Sequence, residues 1–498
     1  MTTTGTAPAT ARTAGRGAVG LLVLTELGSG ILQGWYGPLL VGIGDMYSVG
    51  AATLNLVAVA YLLSSVLFVP LLTKLADMHG HKKLLMIAVG ITALGSLLVA
   101  FAPNFGVLLV GRVLQGALVA FLPLEFAIVR QRAPEQVGKS IGQLVASLAI
   151  GALLGAVGSG VLYGATDSLV LVLTVPAIYF AVCLVLIAFF VPETDVTGGG
   201  RLDWAGVALL GFGAAGLLGG ISLAGVSGWG DPLAWVLMVA GAALLAAWVV
   251  VEKRVADPFI DLDVLRHGGI GLPIVIGVLY GAHALGGTSL IAIFVAVDPD
   301  EYGFGLGLSA AMSGIILSAM ALSGFAGSLL ANRLVGWFST RTTLLIAHGL
   351  GATAFLGMIL ASGNLALFMV WLVLGGLGMG FVISVLPTVV VSLARHDEVA
   401  VVSGLYNTAR TAAGAAAGAV FTTVMAAFIV AGTDVDGSAP VTSFTGYAAV
   451  WAIGAGLAVI GGLLTLRLPK NPTPATDAAE STDAVEQTDA SEAAPAAG

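Results

Sequence analysis

Long apolar segments alternate with short polar ones along almost the whole chain. A helix needs about 20 mostly apolar residues to cross the roughly 30 Å hydrocarbon core of a bilayer. The pattern predicts fourteen such helices, with both chain ends on the same side of the membrane. They cover residues 18–43, 51–72, 84–102, 105–129, 140–163, 169–191, 204–224, 232–252, 270–297, 309–331, 342–361, 365–391, 399–430 and 445–467.

The composition agrees with a chain that lies mostly in lipid. Of the 498 residues, 58% are hydrophobic and 9% are charged, whereas soluble proteins carry about 25% charged residues. The 70 glycines are typical of membrane helices that pack closely through small residues. We therefore expect an all-α integral membrane protein. The single cysteine, Cys183, excludes an internal disulfide or a cysteine metal site.

The basic residues indicate the orientation. If the N-terminus is inside, all Lys and Arg residues fall in inner segments except Arg112 and Arg410, which lie within spans. The charged residues of the outer loops are then all acidic. Short cytoplasmic loops are enriched in Lys and Arg, so both termini are predicted to be cytoplasmic. Twelve or sixteen spans would also place both ends inside, whereas an odd count would scatter the bases over both faces.

The predicted spans group as six, two and six. We expect a cytoplasmic N-terminal segment, a six-helix bundle, a linker with two additional helices, a second six-helix bundle and an acidic cytoplasmic tail. The tail has regularly spaced acids and few apolar groups, so it is predicted to be disordered. These units cover residues 1–17, 18–191, 192–269, 270–467 and 468–498.

A short basic segment follows the second span and reads Leu-Ala-Asp-Met-His-Gly-His-Lys from Leu75. It resembles the loop between the second and third helices of major facilitator superfamily transporters. Thr73, Met78 and His81 stand where that family usually has Gly, Arg and Arg. The resemblance implies a gating role for Asp77, Gly80 and Lys82. A weaker copy, Leu330-Ala-Asn-Arg333, occupies the equivalent place in the second half, as internal repeats in transporters predict.

The fourth span contains Gly111-Arg112-Val113-Leu114-Gln115-Gly116, which is similar to a Gly-Arg-x-x-Gln-Gly motif of the same superfamily. An arginine in hydrocarbon is costly and usually faces a cavity or a partner. The alternative for Arg112 is that its long side chain reaches the outer surface of the membrane.

Other segments resemble the fourteen-helix drug:proton antiporters of this superfamily. The fifth span has Gly142, Gly151, Gly155 and Gly158 at the spacing of the antiporter motif, but Ala156 replaces its proline. The Pro-Phe-Ile-Asp-Leu segment after the eighth span and Ser-Gly-Leu-Tyr-Asn-Thr-Ala-Arg in the thirteenth are also similar. Glycines at this spacing allow close helix packing, so Gly142, Gly151 and Gly155 are predicted packing positions.

Glu26 is the one acid well inside a span, and a nearby Arg112 would stabilise its charged form. We expect the two to form a proton-coupling pair; the alternative is a structural ion pair without a transport role. Glu125, near the inner end of the fourth span, is a second proton candidate, although a salt bridge with Arg130 or Arg132 is an equal alternative.

Several polar and aromatic residues within spans are candidates for a substrate cavity. Arg410 either binds substrate or locks the two halves together. Trp35 and Tyr36 suit an interfacial belt equally well, and His283, like His348, is more typical of a packing residue. The predicted cavity set is Gln33, Trp35, Tyr36, Gln115, His283, Asn407 and Arg410.

The resemblance implies the major facilitator fold with 14 transmembrane helices, and export of small, mostly apolar compounds by proton antiport with alternating access. It implies multidrug efflux and antibiotic resistance, a multi-pass location in the cell (inner) membrane, and a monomer. The expected partners are a small-molecule substrate, protons and the lipid bilayer. No cofactor, metal or nucleic acid is expected, and the proton-motive force is the expected energy source. No enzyme motif is found. The alternatives are a proton-coupled importer, a lipid translocase, or a non-transporting receptor.

Overall fold

The computed structural model describes residues 9–132, 137–194, 203–255, 269–393, 399–430, 433 and 440–471. Within these ranges all regular secondary structure is helical, apart from one isolated bridge between Ile429 and Thr442. The helices are α1 Ala9–Trp35, α2 Leu40–Tyr47, α3 Ala51–His79, α4 His81–Ala100, α5 Phe105–Gln115, α6 Phe121–Arg132, α7 Val137–Thr166, α8 Leu169–Phe190, α9 Trp204–Ser227, α10 Pro232–Glu252, α11 Gly271–Leu285, α12 Thr288–Ala296, α13 Pro299–Tyr302, α14 Ala310–Trp337, α15 Thr340–Leu360, α16 Leu365–Leu393, α17 Val399–Ala426 and α18 Phe444–Thr465.

Twelve helical segments in the described ranges are long and apolar enough to cross a membrane. The all-helical, multi-pass character predicted from the sequence is therefore confirmed. The predicted spans 18–43 and 399–430 are not among the twelve, although they overlap α1 and α17, so the count of fourteen stays a prediction. The predicted cytoplasmic placement of both termini also stays a prediction. Residues 256–268 of the linker and 472–498 of the acidic tail lie outside the described residues.

The predicted polar loop after the second span is almost entirely helical. The helix α3 continues to His79 and α4 begins at His81, so Gly80 alone makes the turn. Gly80 has φ +98°, a conformation that residues with a Cβ adopt only with strain. The expected loop boundaries at 72 and 84 were therefore wrong, because a membrane helix can extend past the apolar segment that identifies it.

In the first bundle, α1 and α7 touch through glycines. A Cβ added to Gly30 would meet the carbonyl oxygen of Leu148, and one added to Gly151 or Gly155 would meet backbone atoms of α1. Small residues allow this approach of two helix backbones. Gly142, in contrast, would have nothing within 4 Å of an added Cβ among the described residues, so it does not take part in this close packing.

The two bundles meet at two seams. In one seam, Asn55 of α3 donates to the carbonyl oxygen of Gly418 of α17 at 2.9 Å. In the other, Ser318 of α14 donates to the carbonyl oxygen of Leu153 of α7 at 3.2 Å, and Gly314 lies against the backbone of α7. With the predicted orientation, these contacts lie from the outer ends of the helices to their middle. If both termini are cytoplasmic, as predicted, the closed side of the molecule is the outer one.

The helix α9 covers the α3–α17 seam. Its Gly211 lies against Leu67 of α3, while the hydroxyl of Thr423 on α17 donates to the carbonyl oxygen of Ile221 at 3.0 Å. Of the two helices inserted between the bundles, α9 therefore contacts both of them, and α10 packs against α9, where Gly216 meets Gly241.

Candidate functional site

Arg112 is buried in the first bundle and does not reach the outer surface. Its Nε donates to the carbonyl oxygen of Val57 at 2.8 Å, and its Nη1 donates to Oε1 of Gln115 at 2.6 Å. Its guanidinium carbon lies 4.0 Å from the ring centre of Tyr36 and 5.0 Å from that of Tyr61. Cation–π contacts of this kind stabilise a desolvated guanidinium, so the charge is held between two aromatic faces.

Gln115 connects Arg112 to two further helices. Its Nε2 donates to the Tyr36 hydroxyl and to Oγ of Ser96, both at 2.9 Å. The helix α5 ends at Gln115, and a 3-10 segment, Gly116–Ala120, separates it from α6. Gly116 lies against Ser64 of α3. The glycine of this motif therefore permits the close approach of α3, which supplies the carbonyl of Val57 and the ring of Tyr61 to Arg112.

Glu26 and Glu125 form a second buried cluster. Both side chains are fully enclosed, at 1% and 0% exposure, and their carboxyl groups face each other at short range. Ser29 of α1 is a further polar neighbour of Glu26. Both oxygens of Glu125 and Oε2 of Glu26 have no well-formed hydrogen bond to a described residue. Two carboxylates so close together in a low dielectric repel strongly, so the cluster is suited to holding a proton between them.

The structure does not form the expected Glu26–Arg112 pair, and for Glu125 it does not form the salt bridge that was one of two alternatives. Arg112 pairs with neither acid in the described structure: two of its N–H groups donate to Gln115, one turn away on the same helix, and to the carbonyl of Val57. Glu125 makes no salt bridge with Arg130 or Arg132, because it points into the bundle while Arg130 is exposed. Tyr61 lies within electrostatic range of both Glu26 and Arg112.

The first-span candidates divide into one exposed residue and two buried ones. Gln33 is exposed and donates to Oγ of Ser29 at 3.3 Å. Trp35 is buried and donates to the carbonyl oxygen of Val172 on α8 at 3.1 Å. Because Trp35 and Tyr36 are each 5% exposed, they lie neither on an open path nor in an interfacial belt.

In the second bundle the candidates do not form one cluster. Nη2 of Arg410 donates to Oδ1 of Asn407 at 2.8 Å within α17. The backbone of Arg410 packs against Gly281 of α11. His283 belongs instead to a group with His348, whose ring centre lies 6.3 Å away. The structure thus assigns Arg410 to a contact between α11 and α17 of one bundle, not to a lock between the two halves.

The gating candidates contact only their own bundle in the described part of the chain. Asp77 Oδ1 lies 3.2 Å from Nε2 of His81. Nζ of Lys82 lies 3.2 Å from Oε1 of Glu193 and donates to the carbonyl oxygen of Ala188 at 3.2 Å. The Asp77 side chain is 57% exposed, so it remains available to a partner when the cytoplasmic ends of the bundles approach each other.

If Asp77 helps to close the cytoplasmic side, Asp77→Asn increases the time that this side stays open. We expect faster labelling of a Gln33→Cys reporter by a membrane-impermeant maleimide added from the cytoplasmic face. The matched control is Asp45→Asn. It also removes an exposed acid, but on the side of the bundle opposite to Asp77. Equal labelling rates in both variants would show that Asp77 has no gating role.

Several residues of the site have no signal in the sequence. Tyr61 and Ser96 are single residues in apolar helices, and the Val57 carbonyl has no side-chain signature. The polar positions facing Gln115 are recognisable only after α3, α4 and α5 are placed side by side. A buried arginine predicts that such partners exist, but not which helices supply them.

The family model of the Major Facilitator Superfamily matches residues 22–419. The puromycin resistance protein pur8 of Streptomyces alboniger is 28% identical, with 81% of each chain covered. The uridine/deoxyuridine transporter of Lactococcus lactis subsp. cremoris (strain MG1363) is 27% identical, covering 68% of this chain and 70% of the relative. In fold, the crystal structure of the nucleoside transporter NupG is similar, with a TM-score of 0.59, 14% identity, and 90% of this chain and 97% of that one covered.

Proposed function

Because the chain belongs to the Major Facilitator Superfamily, and is therefore a transporter and not an enzyme, we propose that it exports small, mostly apolar compounds in exchange for protons. The observation that carries this proposal is the buried Glu26–Glu125 pair, which has no basic partner among the described residues. A site that changes its charge by one proton inside a membrane bundle gives the proton gradient a place to act.

The proposed cycle follows from the cost of a buried charge. When the pair faces the outside it takes up a proton, and the cluster, which then carries one negative charge fewer, tolerates the closed, dry environment of the bundle better. When the cytoplasmic side opens, water reaches the site and the proton leaves. Substrate binding then favours the return, since alternating access rocks one bundle against the other around a site between them.

The relatives support drug efflux and also a second candidate. The name of the Streptomyces relative refers to puromycin resistance, which favours export of a drug-like compound. The name of the Lactococcus relative refers to uridine and deoxyuridine, which favours a nucleoside transporter. The cavity beside His283 in the second bundle is lined mainly by apolar residues, which favours a mostly apolar ligand, so we favour the first candidate.

Transport into vesicles of purified protein separates the two candidates. With the cytoplasmic face outward and an acidic lumen, a proton antiporter accumulates its substrate inside the vesicle. We expect accumulation of labelled puromycin, above that of protein-free vesicles with the same gradient, and none of labelled uridine. Uridine uptake driven by an alkaline lumen would contradict export and favour proton-coupled import.

A further inference from the structure

Two histidines are buried in the second bundle with no hydrogen-bond partner in the described part of the chain. His283 on α11 and His348 on α15 are 5% and 2% exposed. All four of their ring nitrogens lack such a partner. Tyr280 and Phe355 lie edge-on to the ring of His283. A buried polar atom without a partner costs free energy and calls for an occupant that supplies the missing bond.

Only His283 of the two lines a cavity. The cavity has a volume of about 40 Å³ and lies beside the break between α11 and α12 at Gly286 and Gly287. None of the residues that line it is an acid, a lysine or an arginine. Its walls include Gly351, Phe355, Met358, Trp371 and Met379.

The volume limits what this cavity holds. A water molecule needs about 10–15 Å³ of such space and two or more polar partners, so the cavity accommodates two or three waters or one small polar group. A neutral imidazole offers one donor and one acceptor. The methionine side chains are flexible and adapt to different shapes. They therefore allow the apolar part of a ligand to lie next to the polar group that enters the cavity. A charged group would find no counter-charge in these walls.

We propose that this cavity is a substrate subsite that takes one uncharged polar group, a hydroxyl, carbonyl or amide, of an otherwise apolar substrate. His283 is its hydrogen-bonding partner, and water occupies the cavity in the substrate-free protein. This inference rests on the proposed function, because it names the chemical class of the exported compound. His348 lies next to it but outside the cavity, so its role is packing.

The water in this cavity is detectable without any substrate. Hydroxyl radicals formed from bound water by a short X-ray pulse oxidise nearby methionines, so we expect oxidation of Met358 although it is only 3% exposed. Gly351→Ala places a methyl group 3.8 Å from Cε1 of His283, and should reduce this oxidation severalfold. Gly349→Ala, exposed and with nothing within 4 Å of its Cβ, should not. Absence of Met358 oxidation in the wild type would overturn the proposal that water fills the cavity.

Ligand binding tests the recognition itself. We use 1-naphthol and naphthalene as probes, because they differ by one hydroxyl group, and measure their binding to the protein in nanodiscs by calorimetry with empty nanodiscs as the blank. His283→Phe should weaken 1-naphthol binding about tenfold, the effect of one lost hydrogen bond, and leave naphthalene binding unchanged. His348→Phe, the matched control, should change neither.

Equal binding of 1-naphthol by the wild type and His283→Phe, or an equal loss of both probes, would overturn the proposal. Both experiments are carried out without a pH gradient. Their outcome is therefore independent of proton coupling, and a failure of the efflux assay leaves them interpretable.

Discussion

Glu26→Gln should abolish pH-driven accumulation of substrate while exchange of substrate across the membrane continues. The glutamine imitates the protonated acid, so Glu26 no longer changes charge when the site opens to either side. Glu125 faces Glu26 in the wild type. In the variant its neighbour is an amide, so Glu125 has no second carboxylate with which to share a proton. The measurement compares ΔpH-driven uptake and puromycin exchange on the same vesicles.

Asp45→Asn is the matched control, because it removes an exposed acid of α2 that has no part in the proposed proton site or the gating loop. It should keep pH-driven uptake. We expect Glu125→Gln to behave like Glu26→Gln, and the double variant to be no worse than either single variant, since the two acids act as one site. Full pH-driven uptake by Glu26→Gln would move the proton site elsewhere.

Arg112→Lys should reduce the transport rate about a hundredfold with normal insertion into the membrane. Lysine keeps the charge but lacks the planar guanidinium. In Arg112 this group bonds Val57 and Gln115 at once and contacts the rings of Tyr36 and Tyr61. Two hydrogen bonds to a charged group are worth about 3 kcal/mol or more together, which corresponds to about two factors of ten.

The control for Arg112→Lys is Arg130→Lys, because Arg130 is an exposed arginine at the end of the same span. Its rate should stay within about twofold of the wild type, as is usual for surface substitutions. Both variants are measured at equal abundance in the membrane. A wild-type rate for Arg112→Lys would show that only the charge matters and that the bonds to α3 and Gln115 do not.

The sequence predicted twelve spans that the structure supports, and the burial of Arg112, because both follow from the cost of polar groups in lipid. Span identity needs only apolar segments, and a charged residue inside one must turn inward. The partners of Arg112 did not follow, because hydrogen bonds to the Val57 carbonyl and to Gln115 depend on the tilt and break of two helices. Glu26 and Glu125 were both identified, but their contact with each other was not.

The covered seam and the second bundle's cavity also escaped prediction. The packing of α9 over α3 and α17 depends on contacts such as that between Thr423 and Ile221, which are far apart in sequence. The cavity beside His283 results from a gap in packing, and a gap has no sequence pattern. A glycine such as Gly351 is equally compatible with close helix packing and with an adjacent cavity. Only the structure distinguishes these two cases.

Proton movement during substrate transport tests the antiport claim most directly. Vesicles with the cytoplasmic face outward and a pH-sensitive dye in the lumen start without a pH gradient, and puromycin is added outside. Exchange predicts that the lumen becomes alkaline as substrate enters, beyond the change in Glu26→Gln and protein-free vesicles. A lumen that becomes acidic, or stays unchanged while puromycin enters through the protein, would contradict proton antiport.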